Sequence, residues 1–340
     1  MPTLSLPVAL AVALAAFGAC ASDPPAAVSP PTALDPAVAA AAAADMAAGA
    51  GVALAGAAGS PAAADSLGQL DAATAAAYAR ITSEARAQGV AGRSYGEIVQ
   101  WVGTQLRGRP YVGGMLDVPA RETLVADLTR FDCVLLVENV LAVAHAIATD
   151  DTTPEAYLAE LRRMRYRGGA MDGYASRLHY FSEWLADNDA RGTVRNVTAD
   201  AGGVPFEKRI DFMSTHRASY PHLADDAAFA AVRQHEAALA GRAMVYIPKA
   251  SIAAAYAAMQ PGDVVAMTTS IGGLDVTHTG FVHVTGEGRS RRVGFLNASS
   301  VSNEVKVSPD LSAYVRDIRN QTGVVIARPV DPRADRASGE

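Results

Sequence analysis

The sequence predicts an α+β domain, and three observations carry that prediction. Apolar residues recur at helical spacing through the first half of the folded region. Strand-like runs separated by Gly-rich turns occupy its last third. Helices therefore come first and antiparallel strands later, the order expected when helices pack on one sheet.

The elements follow in order. Leu4 to Phe17 is mostly apolar and ends in Gly18-Ala19-Cys20-Ala21, an h-region of signal-peptide length followed by small residues. That ending resembles a bacterial lipobox, with Cys20 as the lipidated first residue of the mature chain. An ordinary cleaved signal peptide is the alternative. Ala21 and Ser22 carry no aspartate-type retention signal, so the expected location is the periplasm, anchored to the outer membrane through lipid on Cys20. Residues 21–69 are mainly Ala, Pro, Gly and Ser without aromatics, too poor in apolar bulk to offset ordering entropy, and read as a disordered tether.

The folded domain is expected over residues 70–330, with a polar tail at 331–340. Asp71 suits the cap of a helix running to Arg86. Ser94 to Leu106 reads as a second helix, with Ile98, Trp101, Val102 and Leu106 on one side. Residues 108–114 form a Gly-rich loop, and Thr123 to Leu128 reads as a short strand or an extended entry to the next helix. Phe131-Asp132-Cys133 then opens a long apolar helix to about Ile147, and residues 154–192 are mostly helical. Strands are expected at Asp263–Thr268, Thr277–Val284, Arg292–Asn297 and Gly323–Ala327.

Bulk properties exclude some functions. The net charge of −6 over 340 residues argues against a nucleic-acid partner, which needs a basic face. Beyond the N-terminus no segment approaches the roughly 18 uninterrupted apolar residues of a membrane span. No His or Cys cluster has metal-ligand spacing, so neither metal nor cofactor is expected.

The chain has two cysteines, and if Cys20 is acylated then Cys133 has no disulfide partner. An unpaired thiol in an oxidising compartment is a candidate nucleophile. At a helix N-terminus it would meet the positive end of the helix dipole and unpaired N–H groups, which should lower its pKa and stabilise an oxyanion. Alone, a free cysteine is more often a small buried hydrophobe. His278, at the start of a later strand, is placed to act as general base. Asn297, near the end of the next strand, is placed to orient that imidazole. Among the seven histidines His179 is the main rival, because His283 falls on the opposite strand face and His145 lies about three turns along the cysteine helix.

A set of short motifs surrounds these residues. They are Tyr111-Val112-Gly113-Gly114, Phe131-Asp132-Cys133, Tyr166-Arg167-Gly168-Gly169, Ser176 to Trp184, Phe212-Met213-Ser214, Tyr246-Ile247-Pro248-Lys249, Pro261-Gly262-Asp263, Gly273 to His278 and Gln321-Thr322-Gly323. Together they resemble the bacterial N-acetylmuramoyl-L-alanine amidase-like family, within the NlpC-type branch of papain-like cysteine peptidases and amidases. The resemblance spans about residues 90–330. It implies a papain-like fold, with a Cys-bearing helix packed on an antiparallel sheet and a mostly helical insertion, and a triad of Cys133, His278 and Asn297. The family's typical third residue is His, so Asn297 is a departure that orients without carrying charge.

The resemblance further implies a peptidoglycan or muropeptide substrate and cleavage of the muramoyl–alanine amide. The alternatives are a stem-peptide endopeptidase and a non-catalytic peptidoglycan-binding lipoprotein. Tyr111 would line the site and Asp132 would bind a peptide amine or cap its helix. Arg177 and His179 would meet stem-peptide carboxylates or form a buried polar network.

Overall fold

A computed structural model describes residues 70–334. The predicted signal segment, the predicted lipidation at Cys20 and the predicted tether at 21–69 lie outside the described residues.

Local signals set the first helices. Helix α1 (Ala72–Ala87) starts where the Asp71 carboxylate accepts the Thr74 N–H. Helix α2 (Tyr95–Gln105) starts at a capping box in which the Glu97 carboxylate accepts from the Ser94 backbone N–H at 3.0 Å. The long apolar helix α3 (Cys133–Thr149) buries nearly all of its length, and Asp150 ends it in the left-handed region at φ 56°. Helix α4 (Pro154–Arg165) begins with Pro154 at its first position behind the Thr153 cap. The insertion continues with α5 (Phe181–Ala190), the single turn α6 (Phe212–Thr215) and α7 (Asp226–Leu239), and α8 (Leu311–Arg316) comes late.

The strands are β1 (Val194–Asn196), β2 (Val204–Phe206), β3 (Met244–Pro248), β4 (Val264–Thr269), β5 (Val276–Thr285), β6 (Arg292–Ser299), β7 (Glu304–Ser308) and β8 (Gln321–Pro329). They form one antiparallel sheet in the order β2-β3-β8-β4-β5-β6-β7, with β1 also pairing β8. The predicted α+β class with helices on an antiparallel sheet is what the chain adopts. Of the two readings of Thr123–Leu128, the strand does not form: the segment pairs with no strand, and the Val125 carbonyl accepts from Arg165 Nη1 at 2.5 Å.

Successive strand residues face opposite sides, so the sheet carries two cores. Val264, Phe281 and Leu296 pack against Leu136, Val140 and Val143 of α3. Their neighbours Val265, Val282 and Phe295 pack against Leu311 and Val315 of α8. A third cluster beneath the insertion joins Tyr174, Tyr180, Phe212 and Leu274. Close contact of β5 with β6 depends on Gly280, where a Cβ would lie 2.4 Å from the Leu296 carbonyl oxygen and 2.8 Å from the Phe295 ring. Among the described residues no helix is long and apolar enough to cross a membrane.

Candidate active site

Cys133 is the first residue of α3 because Asp132 stops the extended chain there. The Asp132 carboxylate accepts the Leu135 N–H at 2.8 Å, which makes it the predicted N-cap. The Cys133 side chain is part-buried. Its thiol lies against β5, sharing a cavity with Thr277, His278 and Thr279.

His278 sits on β5 opposite Met267 of β4. Its Nε2 lies 3.2 Å from Asn297 Oδ1. The Asn297 amide is fully buried, and its Nδ2 donates to the Phe295 carbonyl at 3.2 Å. With the amide nitrogen so engaged, Oδ1 is the end facing His278, and it accepts from Nε2–H. This network puts a proton on Nε2. Two rings hold the imidazole in place. Phe295 meets it edge-on at 5.7 Å, and Tyr314 from α8 stacks on it at 6.0 Å and 25°. The sequence singled out neither ring, because α8 reaches β5 only through the tertiary fold.

A cleft of about 240 Å³ brings together Tyr111, Asp132, Cys133, Arg177, His179 and His278. Every predicted site residue within the described chain is therefore here, with Asn297 directly behind His278. Tyr111 is fixed by its backbone, whose N–H donates to the Asn303 carbonyl at 3.0 Å.

One electrostatic expectation is corrected. The helix end does not lower the Cys133 pKa: burial, then the Asp132 charge, pushes the thiol up to about 12. The N–H groups of Thr279, Cys133 and Val134 pull the other way and are outweighed. The thiol is thus neutral at physiological pH until a base takes its proton. Burial likewise pushes Asp132 up to about 6.

Arg177 and His179 form the polar network that was the second reading of these residues. Arg177 Nη1 donates to the Leu116 carbonyl at 2.9 Å, Nη2 pairs with Asp117, and Nε lies 3.8 Å from Glu122. The guanidinium lies 4.8 Å over the Tyr174 ring. His179 Nε2 bonds the Tyr174 carbonyl at 2.9 Å, and burial, then the Arg177 charge, holds its pKa well below the usual range. Glu138 and Arg165, which the sequence did not single out, also line the cleft and form a buried ion pair at 2.6 Å. Asp275 accepts the backbone N–H groups of Ser182 and Val276, each at 2.7 Å. Among the described residues no group of three or more His, Cys, Asp or Glu is arranged to hold a metal ion.

Residues 101–324 match the model of the AmiA-like family, described as N-acetylmuramoyl-L-alanine amidase-like. The chain belongs to this family. Membership places it among amidase-like cell-wall hydrolases. Among solved structures, it is similar to an N-acetylmuramoyl-L-alanine amidase from Bacteroides uniformis ATCC 8492, at 31% identity and a TM-score of 0.65. That match covers 70% of this chain and 100% of the other. A Bacteroides fragilis protein named provisionally as a xylanase matches at 31% identity and a TM-score of 0.59, over 67% of this chain and 99% of its own. A Legionella pneumophila protein shares the fold at 18% identity, with a TM-score of 0.56 over 76% of this chain and 96% of its own. No curated protein matches the chain. The amidase-like match spans the cysteine helix, the insertion and the strands bearing His278 and Asn297.

Proposed function

We propose that the protein hydrolyses the amide between N-acetylmuramic acid and L-alanine in peptidoglycan, with Cys133 as nucleophile, His278 as general base and Asn297 as the residue that orients the imidazole. The observation that carries this reading is the Asn297 Oδ1–His278 Nε2 bond within a cleft that also holds Cys133. It leaves Nδ1 of His278 as the proton acceptor, the arrangement a thiol nucleophile needs.

His278 Nδ1 takes the Cys133 proton, and the thiolate attacks the amide carbonyl. The N–H groups at the start of α3 stabilise the oxyanion that forms. The tetrahedral intermediate collapses, the C–N bond breaks, and the imidazolium returns its proton to the departing amine. Water, deprotonated by His278, then cleaves the thioester and frees the carboxylic acid. Because the thiol is pushed up to about 12, proton transfer to His278 rather than spontaneous ionisation supplies the thiolate.

The fold is read as papain-like and NlpC-type, since a cysteine at a helix N-terminus meets a histidine on an antiparallel strand. Tyr111 and Asp132 border the reacting centre, while Arg177 and His179 shape the wall opposite. Lipidation at Cys20 would hold the enzyme at the outer membrane, facing the periplasm. Mass spectrometry of digested muropeptides tests the bond: free glycan with intact stem peptide is expected, whereas shortened stems still attached to glycan would replace the amidase reading with an endopeptidase.

A further inference from the structure

A second, smaller chamber opens beside Cys133. Three chemically distinct groups border it together: the Cys133 thiol, the His278 imidazole and the Trp184 indole. Val137, Leu178 and Val276 supply apolar walls. Several polar side chains at its edge are engaged elsewhere. Glu138 pairs with Arg165, Asp275 accepts two backbone N–H groups, His179 bonds the Tyr174 carbonyl, and Thr279 Oγ1 donates to the Val265 carbonyl. Trp184 differs. It is only 4% exposed, and its indole Nε1–H has no acceptor among the described residues. Stacking on Phe181 at 5.3 Å holds the indole in place. A buried donor left unmet is costly, and such groups normally find a protein, water or ligand partner. A chamber of about 80 Å³ admits water, since a cavity needs only about 10–15 Å³ to hold one molecule.

We propose that this chamber holds the water that hydrolyses the acyl-enzyme, and that Trp184 Nε1–H positions it by donating to its oxygen. The inference rests on Cys133 being the nucleophile, since without a thioester there is no second step for this water to serve. After the first step the thiol proton has left with the amine, so the His278 imidazole is again a base. The water then has a donor in the indole and an acceptor in the imidazole, the polar partners a held water needs. The apolar walls leave few competitors for its orientation. Its oxygen attacks the thioester carbonyl carbon as His278 takes one of its protons. The tetrahedral intermediate collapses, the C–S bond breaks, the carboxylic acid leaves, and the imidazolium returns the proton to the sulfur.

The test separates the two half-reactions in the full chain. Enzyme in excess is mixed with a soluble muropeptide and quenched in acid at intervals. Released amine reports acylation, and intact mass reports decay of the thioester on Cys133. Trp184→Phe keeps an aromatic ring against Phe181 and removes the N–H. Its acylation should match wild type, while thioester decay should slow about tenfold, the scale of one lost hydrogen bond. Hydroxylamine, a strong nucleophile that needs no indole to orient it, should restore turnover of this variant as the hydroxamate. Val276→Phe, which places a larger ring at the chamber wall, should also slow thioester decay. A folded Trp184→Phe whose thioester decays at the wild-type rate, or whose two half-reactions slow together, would overturn the inference and leave the nucleophile assignment standing. No thioester on any of these chains would overturn both. Should Trp184→Phe fail to fold, thioester decay in Val276→Phe decides by itself.

Discussion

Asn297 and His278 sit on adjacent strands with Asn297 Oδ1 3.2 Å from His278 Nε2, and the other end of the amide is tied to the Phe295 carbonyl. The imidazole is thereby fixed in both orientation and tautomer. Asn297→Ala should lower kcat by about 10- to 100-fold with little change in KM, the scale of a misplaced general base. Asn297→His should recover part of the loss, because a second imidazole can accept the same hydrogen bond. Steady-state kinetics on a soluble muropeptide decide this.

Tyr314 offers a second way to disturb the same ring. Its side chain stacks on His278 at 6.0 Å. Tyr314→Phe keeps the stacked face and should stay near wild-type activity, whereas Tyr314→Ala frees the imidazole and should cost about tenfold in kcat. Equal losses in the two variants would point to the hydroxyl rather than to stacking.

Asp132 makes stability depend on pH with a definite sign. Burial raises its pKa from 3.8 to about 6, so the folded state holds the proton more tightly than the unfolded chain. The stabilisation from the protonated form is complete below about pH 3.8 and lost as pH rises through about 6. Asp132→Asn keeps a capping oxygen and removes the charge. It should therefore be more stable than wild type at pH 7.5, by about 1–2 kcal/mol, and equal to it near pH 4. It also removes the second-largest influence holding the Cys133 thiol up, so iodoacetamide should label the Cys133 peptide faster at pH 7.5.

The Glu138–Arg165 pair is buried on both sides. Arg165→Met alone leaves a buried carboxylate without its cation and should cost about 3–5 kcal/mol in urea unfolding. Adding Glu138→Leu should recover most of that loss, because an apolar replacement of both partners removes the desolvation cost together with the attraction.

Much of this was legible in the sequence where the signal is local. Asp71, Ser94 and Asp132 mark helix starts through side chains that act within three residues, and all three caps form. Strands β4, β5, β6 and β8 were visible in their apolar runs, and His278 and Asn297 fall on neighbouring ones. Strands β1 and β2 were missed because three residues are too few to establish a period. Composition left Thr123–Leu128 open between a strand and an extended entry, because it does not show that an arginine donor rather than a partner strand meets the Val125 carbonyl. The Cys133 pKa was misjudged for a related reason: the helix end is readable from sequence, but the depth of burial that outweighs it is a property of the assembled cleft. Tyr314 reaches His278 through a contact distant in the chain, which no window of sequence displays.

The central claim is that Cys133 attacks the muramoyl carbonyl, and the intact mass of the full chain, acid-quenched during turnover of a soluble muropeptide, tests it most directly. The account predicts a muramoyl-containing thioester adduct on the peptide bearing Cys133, absent from a Cys133→Ala variant that is folded and inactive. Turnover by Cys133→Ala at the wild-type rate, with no adduct on the wild-type chain, would contradict it.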